Sequence, residues 1–299
     1  MLTGPVRRAR GRALRAVPAG LARPFRSPQN RRFIDLSELA SHNSYMDFDI
    51  SHLLEDWEYQ PGQVVVRKFK AKDGREKIQL RVDLGLLQMN AEGRPDGKRP
   101  FGCASLFEHY RARLHRYVAA HEGSDEGFKL KAEDCSKLQL EALQYHHRYI
   151  CLLQLEDYPG VLRDAERNLA VFDFVGKHAA NEELAWSLQQ FRPQLLMILT
   201  RARAAQALHE NDHDLAIQLV EEGLEKIRGF FQESSRGDAA DSSGEVQSLQ
   251  NWLEEIRAKR PLTRREKLER ALHDAVKCED YERAAKMRDA LRNLKPQGS

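Results

Sequence analysis

The sequence predicts a mainly α protein with a small antiparallel β-meander near its N-terminus. Two patterns indicate this. From residue 105 to 232, and again from 246 to 296, apolar residues recur at helical spacing. Between residues 63 and 93 the period changes to two, which is typical of short strands. Three short strands bury little surface alone, so we expect a helical layer to cover one face of the sheet.

In residues 77–84 polar and apolar side chains alternate, with the apolar set at Ile78, Leu80, Val82 and Leu84. This pattern predicts a half-buried strand whose polar face includes Gln79. Asp73-Gly74 before it predicts a hairpin turn, and Leu86–Ala91 a third strand. The glycine-containing loop 93–102 lacks phosphate-binding spacing and is predicted to be a connector.

Two helical hairpins are predicted in the middle of the chain. The turn "LEDYPG" (155–160) joins the first pair of helices, and Pro159 suits the first turn of a helix. The turn "HEND" (209–212) joins the second pair. The pairs loosely resemble tetratricopeptide-type repeats, although Asp157 and Asp212 lie 55 residues apart and that repeat has a period of about 34.

The last predicted hairpin follows Pro261. Thr263 and Glu266 have the spacing of a capping box, so a helix should begin there. An apolar stripe then occupies Leu268, Ala271, Leu272, Ala275 and Val276. Residues 277–279 form the turn, and Asp280 is placed to cap the second helix. The residues that recur on one side of that helix are Tyr281, Ala284, Ala285, Met287 or Arg288, Leu291 and Leu294.

"LERALHDAVKCEDYERAAKMRDALRNL" resembles the UVR motif, the helical hairpin shared by the UvrB and UvrC subunits of bacterial excision repair. Similar hairpins occur in Clp-family ATPases and in an activator of a bacterial protein-arginine kinase. The resemblance spans residues 264–294 and implies docking on a protein with a similar hairpin, or on a second copy. The implied partner-binding residues are Leu268, Leu272, Ala275, Tyr281, Ala284, Ala285, Arg288 and Leu291. Neither a Walker lysine motif nor a nuclease constellation accompanies it, so only docking is implied.

Composition divides the chain into five segments. They are a disordered basic tail (1–33), a small β-containing region (34–102), a helical-hairpin domain (103–232), a Ser/Gly/Asp-rich linker (233–245) and C-terminal helices (246–296). No run of about 18 apolar residues occurs, so no transmembrane helix is expected. The four cysteines form no Cys-x-x-Cys pair, which indicates a reducing, cytosolic setting.

The positive net charge of the chain comes from its N-terminal segment. Residues 1–34 hold nine arginines and no acid, so the net charge of +3 leaves −6 for residues 35–299. This disfavours nucleic-acid binding by the body and favours it, if at all, through the tail. An organelle transit peptide, a disordered tail and a start codon placed too far upstream all fit this composition.

Two groups of residues are typical of metal chemistry. His209-Glu210-x-x-His213 has zinc-protease spacing, but Asn211 and Asp212 between the histidines favour a turn. His147 and Cys151 share a helix face, yet two ligands make no site. We therefore predict a non-enzymatic adaptor without cofactor or metal, linked to excision repair or to protease and stress ATPases. The alternative is a DNA-associated accessory protein that uses its tail.

Overall fold

The computed structural model describes residues 50–234 and 237–294, and the predicted basic tail lies outside these ranges. The fold class is confirmed: the chain is mainly helical, with one small antiparallel sheet and a C-terminal helix pair. The helices are α1 (Ser51–Leu54), α2 (Leu106–Ala120), α3 (Ala132–Gln154), α4 (Tyr158–His178), α5 (Glu182–Gln189), α6 (Arg192–His209), α7 (His213–Glu233), α8 (Gly244–Lys259), α9 (Arg264–Lys277) and α10 (Tyr281–Asn293). None of these described helices has both the length and the apolar character needed to cross a membrane.

The predicted meander is present as β1 (Val66–Lys70), β2 (Glu76–Val82) and β3 (Gly85–Asn90), hydrogen-bonded in that order. The first hairpin turn contains Gly74, whose φ of 77° is the left-handed conformation that glycine adopts without steric cost. Ile78 and Met89 pair across the sheet, and both are buried in the core shared with α2–α6. A helical layer therefore covers one face, as expected.

The sequence pattern was wrong at two positions of this sheet. Gln79, predicted on the polar face, is only 5% exposed. Its side chain accepts a hydrogen bond from Arg67 Nε at 2.6 Å and donates one to Gln88 at 2.7 Å. Leu84, predicted in the apolar stripe, is 92% exposed because β2 ends at Val82 and Leu84 lies in the following turn.

The helical body is a stack of hairpins. α3 packs on α4 and α6 packs on α7, which confirms the two predicted helical pairs. α6 also packs along α4, and α8 packs along α7. The buried residues of α8, which are Val246, Leu249, Leu253 and Ile256, share one cluster with α6 and α7. Although the sequence grouped α8 with the C-terminal helices, its contacts join it to the body.

The segment predicted as a linker is partly built into the body. Gly237–Ala239 forms a short 3-10 helix against α7, and Ala240 is buried. Arg228 of α7 pairs with Asp241 at 3.0 Å. The described part of this segment therefore connects two helices of one core.

A buried network of charged side chains joins the sheet to α3 and α4. Arg148 and Asp164 are both fully buried, and Arg148 Nε lies 2.6 Å from Asp164 Oδ2. Arg148 also donates to the carbonyl oxygens of Asn90 and Gly93. Buried Glu141 accepts a hydrogen bond from Arg94 at 2.8 Å. The loop 93–102 is thus a docked connector whose Arg94 is already paired.

Candidate protein-interaction site

The same turn occurs three times in the described chain. Its middle residue is left-handed, with φ of 58° at Glu156, 63° at Asn211 and 55° at Glu279. The aspartate that follows donates its backbone N–H to the carbonyl five residues earlier, at 2.9 Å in each case. Its carboxylate then accepts the N–H three residues later and caps the next helix. The turns "LEDYPG" and "CEDYER" are therefore structurally equivalent, and "HENDHD" is the third example.

Equivalent small residues lie on either side of two of these turns. Counted from the capping aspartate, Ala207 corresponds to Ala275, and Ala216 corresponds to Ala284. All four are buried where the paired helices meet. The turn and this contact therefore form one unit, present in α6–α7 and in α9–α10.

The hairpin of α9 and α10 begins with the predicted capping box. The N–H of Glu266 donates to Thr263 Oγ1 at 3.2 Å, and the N–H of Thr263 donates to Glu266 Oε2 at 2.7 Å. These bonds and the Arg260 side chain hold the pKa of Glu266 below its usual range. The start of α9 is therefore determined by local hydrogen bonds.

The structure divides the predicted partner-binding residues into three groups. Ala275 and Ala284 are buried between the two helices, so they hold the hairpin together and offer little surface. Tyr281 and Arg288 are exposed, Tyr281 by 69%. The half-buried members are Leu268, Leu272, Ala285 and Leu291. Sequence reasoning placed Val276 in the stripe but left it out of the binding set, and it is 52% exposed.

Few contacts join this hairpin to the body. Within the described ranges, no other helix or strand packs extensively on α9 or α10. Arg260, at the end of α8, pairs with Glu266 of α9 and with Asp214 of α7, the latter at 3.1 Å. The apolar side chains Leu272, Val276 and Tyr281 are thus left without a covering element from the described chain.

The surface of the hairpin is basic. Residues 263–294 hold nine Lys and Arg against seven Asp and Glu. Lys286 pairs with Glu282, and Arg288 pairs with its neighbour Asp289. The basic side chains that make no ion pair with any described residue are Arg264, Lys267, Arg270, Lys277, Arg283 and Arg292. Those on the same face of α10 as Tyr281, such as Arg292, are therefore suited to a partner that carries carboxylates.

The histidines and the cysteine that are typical of metal chemistry do not lie together in the described chain as a set of ligands. His209 ends α6 and His213 begins α7, with the turn between them as predicted. His146 Nδ1 lies 2.7 Å from the Tyr149 hydroxyl, and burial lowers the pKa of His146 to about 4. Burial also raises the pKa of Cys151 to about 12. In the part of the chain that the structure describes, no three His, Cys, Asp or Glu side chains converge as ligands.

Comparison with known proteins identifies the hairpin and no more. Residues 263–297 match the family model described as the UvrB/uvrC motif, which confirms the resemblance over about a tenth of the chain. Comparisons with curated proteins and with solved structures found no match. Helices α9 and α10 together are therefore a UVR motif at the C-terminal end of a helical body.

Proposed function

We propose that this protein is a non-enzymatic adaptor that docks on a partner protein through its UVR hairpin. The observation that supports this is the uncovered apolar face around Val276 and Tyr281. A hairpin of about thirty residues buries too little apolar surface to be stable alone. Large exposed apolar side chains on such a hairpin are typical of a surface that a second protein completes.

The partner we propose carries a similar hairpin, because UVR-type hairpins dock on one another in the proteins that this motif resembles. Excision-repair proteins and protease-linked or stress ATPases are the candidate machineries. The proposal includes a cytosolic setting, for which four cysteines without disulfides are typical.

The experiment compares partner capture by the full-length protein and by a double variant, Val276→Glu with Tyr281→Glu. Both side chains are exposed, so the hairpin should keep its fold while the apolar face is lost. Ala284 is less suitable, because an aspartate there would be buried in the helix contact. Capture is quantified by mass spectrometry and repeated with the purified partner, where we expect a loss of at least about tenfold in affinity.

The matched control is Lys267→Gln with Arg283→Gln, which changes the net charge by the same amount and leaves Val276 and Tyr281 intact. Circular dichroism of each variant verifies its helix content. If the Val276 and Tyr281 variant recovers the same partners at wild-type affinity, the adaptor proposal is wrong.

DNA association through the tail is the second candidate, favoured by nine arginines without an acid in residues 1–34. Such binding should be independent of DNA sequence and should weaken steeply with salt. Deletion of residues 1–33 should remove it in a titration against labelled duplex. Unchanged affinity after the deletion would exclude the tail as the binding element.

A further inference from the structure

In the body, each hairpin that contains the aspartate-capped turn is covered by a later helix. In α3–α4, the later helix α6 packs along α4, and in α6–α7, the later helix α8 packs along α7. In both cases the second helix of the pair receives the covering helix. α10 is also the second helix of such a pair. Within the described residues, however, no third helix packs extensively on it.

Counting from the capping aspartate identifies the side chains that a covering helix would meet. Val220 and Leu224 of α7 are buried in the cluster that α8 completes. The equivalent residues of α10 are Arg288 and Arg292, and both are exposed. Where α8 meets two apolar side chains, a helix on α10 would therefore meet two guanidinium groups. It would also meet Asp289, the equivalent of Glu221, which pairs with Arg257 of α8. Asp289 is already engaged by Arg288, and Arg292 has no partner among the described residues.

The end of the hairpin near the turn has a different character. Leu208 packs against the apolar cluster that α6, α7 and α8 share, and its equivalent in the C-terminal hairpin is Val276. By the same count, His213 corresponds to Tyr281. Val276 and Tyr281 are both exposed. The uncovered flank is thus apolar and aromatic near the turn and basic toward the end of α10.

We propose that this flank binds one amphipathic helix of the partner protein, positioned as α8 is on α7. Its apolar residues would cover Val276 and Tyr281, and its carboxylates would pair with Arg288 and Arg292. Arg288 pairs only with the adjacent, exposed Asp289 at 3.0 Å, and Arg292 pairs with no described residue, so both are available. This inference rests on the proposed docking function and adds the charge of the partner's helix.

The probes are two synthetic 18-residue helical peptides with the same leucine face, one with a glutamate rim and one with a lysine rim. Fluorescence anisotropy measures their binding to the full-length protein at low salt. We expect the glutamate peptide to bind about tenfold more tightly, since two exposed ion pairs contribute modestly and like charges repel. The preference should weaken as salt is added.

Charge reversal identifies the residues responsible. Arg288→Glu with Arg292→Glu should reverse the preference, and Arg288→Gln with Arg292→Gln should abolish it without placing acids at a helix C-terminus. The control, Lys267→Glu with Arg283→Glu, makes the same charge change away from the proposed contact and should keep the preference for glutamate. Hydrogen exchange over residues 264–293 verifies that each hairpin is folded.

Several outcomes would overturn the inference: equal binding of the two peptides, binding of neither, or a preference that the Arg288 and Arg292 variants leave unchanged. The adaptor proposal is tested separately. If the Val276 and Tyr281 variant loses its protein partner while both Arg288 and Arg292 variants retain it, docking stands and the acidic helix is excluded.

Discussion

The hairpins α6–α7 and α9–α10 have the same turn and the same pair of buried alanines, yet one is core and the other is surface. The two hairpins differ in how closely their helices pack at a distance from the turn. Thr200 and Gly223 lie at the positions that Leu268 and Leu291 fill in the C-terminal hairpin. A side chain at Gly223 would overlap Thr200, so α6 and α7 approach closely there. In α9–α10 two leucines fill that position and remain half-buried.

This comparison separates two contributions to the fold. The turn depends on residues at most five positions apart, and it forms in both hairpins. Burial depends on whether another helix arrives, as α8 does for α7. The four predictions below test this separation, from the largest expected effect to the smallest.

Charged groups should contribute far more in the body than in the hairpin. Arg148→Ala leaves the buried Asp164 carboxylate with only the partly exposed Arg163, whose Nε lies 3.0 Å from Asp164 Oδ1, so we expect the free energy of unfolding to fall by about 3 kcal/mol. Lys286→Ala breaks an exposed pair and should cost less than about 0.5 kcal/mol. Urea titrations measure both. A replacement of both Arg148 and Asp164 by leucine should cost less than Arg148→Ala, and a greater cost would argue against this explanation.

Exchanging equivalent residues tests the covering helix directly. Val220→Arg places a guanidinium group under α8 and should destabilise the body by about 3 kcal/mol. The converse change, Arg288→Val, should alter stability by less than about 0.5 kcal/mol because Arg288 is exposed. Thermal unfolding of both variants checks this, and similar losses for the two would mean that α10 is covered in solution.

The close approach of α6 and α7 predicts an intermediate effect. Gly223→Ala should lower the free energy of unfolding by about 2 kcal/mol, because the new methyl group overlaps the Thr200 side chain. Adding Thr200→Ala removes the nearest atoms and should restore part of the loss. A Gly223→Ala protein as stable as wild type would show that the helices separate at little cost.

The capping aspartates should each contribute about 1 kcal/mol, with different consequences. Asp212→Ala should lower the global stability of the body, since α7 is part of its core. Asp280→Ala should instead accelerate hydrogen exchange only within residues 264–293. Global destabilisation by Asp280→Ala would show that the hairpin unfolds together with the body. Glu279→Gly, at the left-handed position of the same turn, should slow exchange there slightly.

Local chemistry explains which features were predictable. The capping box at Thr263, the aspartate caps and the turn at Asp73-Gly74 all involve groups within a few residues of one another, so their patterns are visible in the chain. The metal-like spacing at His209 and His213 was recognised as a turn for the same reason: Asn211 tolerates the left-handed conformation. The UVR resemblance rests on such local features, and the family match confirms it.

The features that were not predictable depend on residues distant in sequence. Burial of Gln79 is tolerated because Arg67 and Gln88 on the neighbouring strands hydrogen-bond its side chain. The place of α8 follows from α6 and α7, although a polar segment precedes it. The hairpins α6–α7 and α9–α10 have the same turn in the sequence. Val220 of α7 is core because α8 lies on it, whereas Val276 and Tyr281 stay exposed because no third helix of the described chain packs extensively on α9–α10, since burial is a property of the neighbours that tertiary folding supplies.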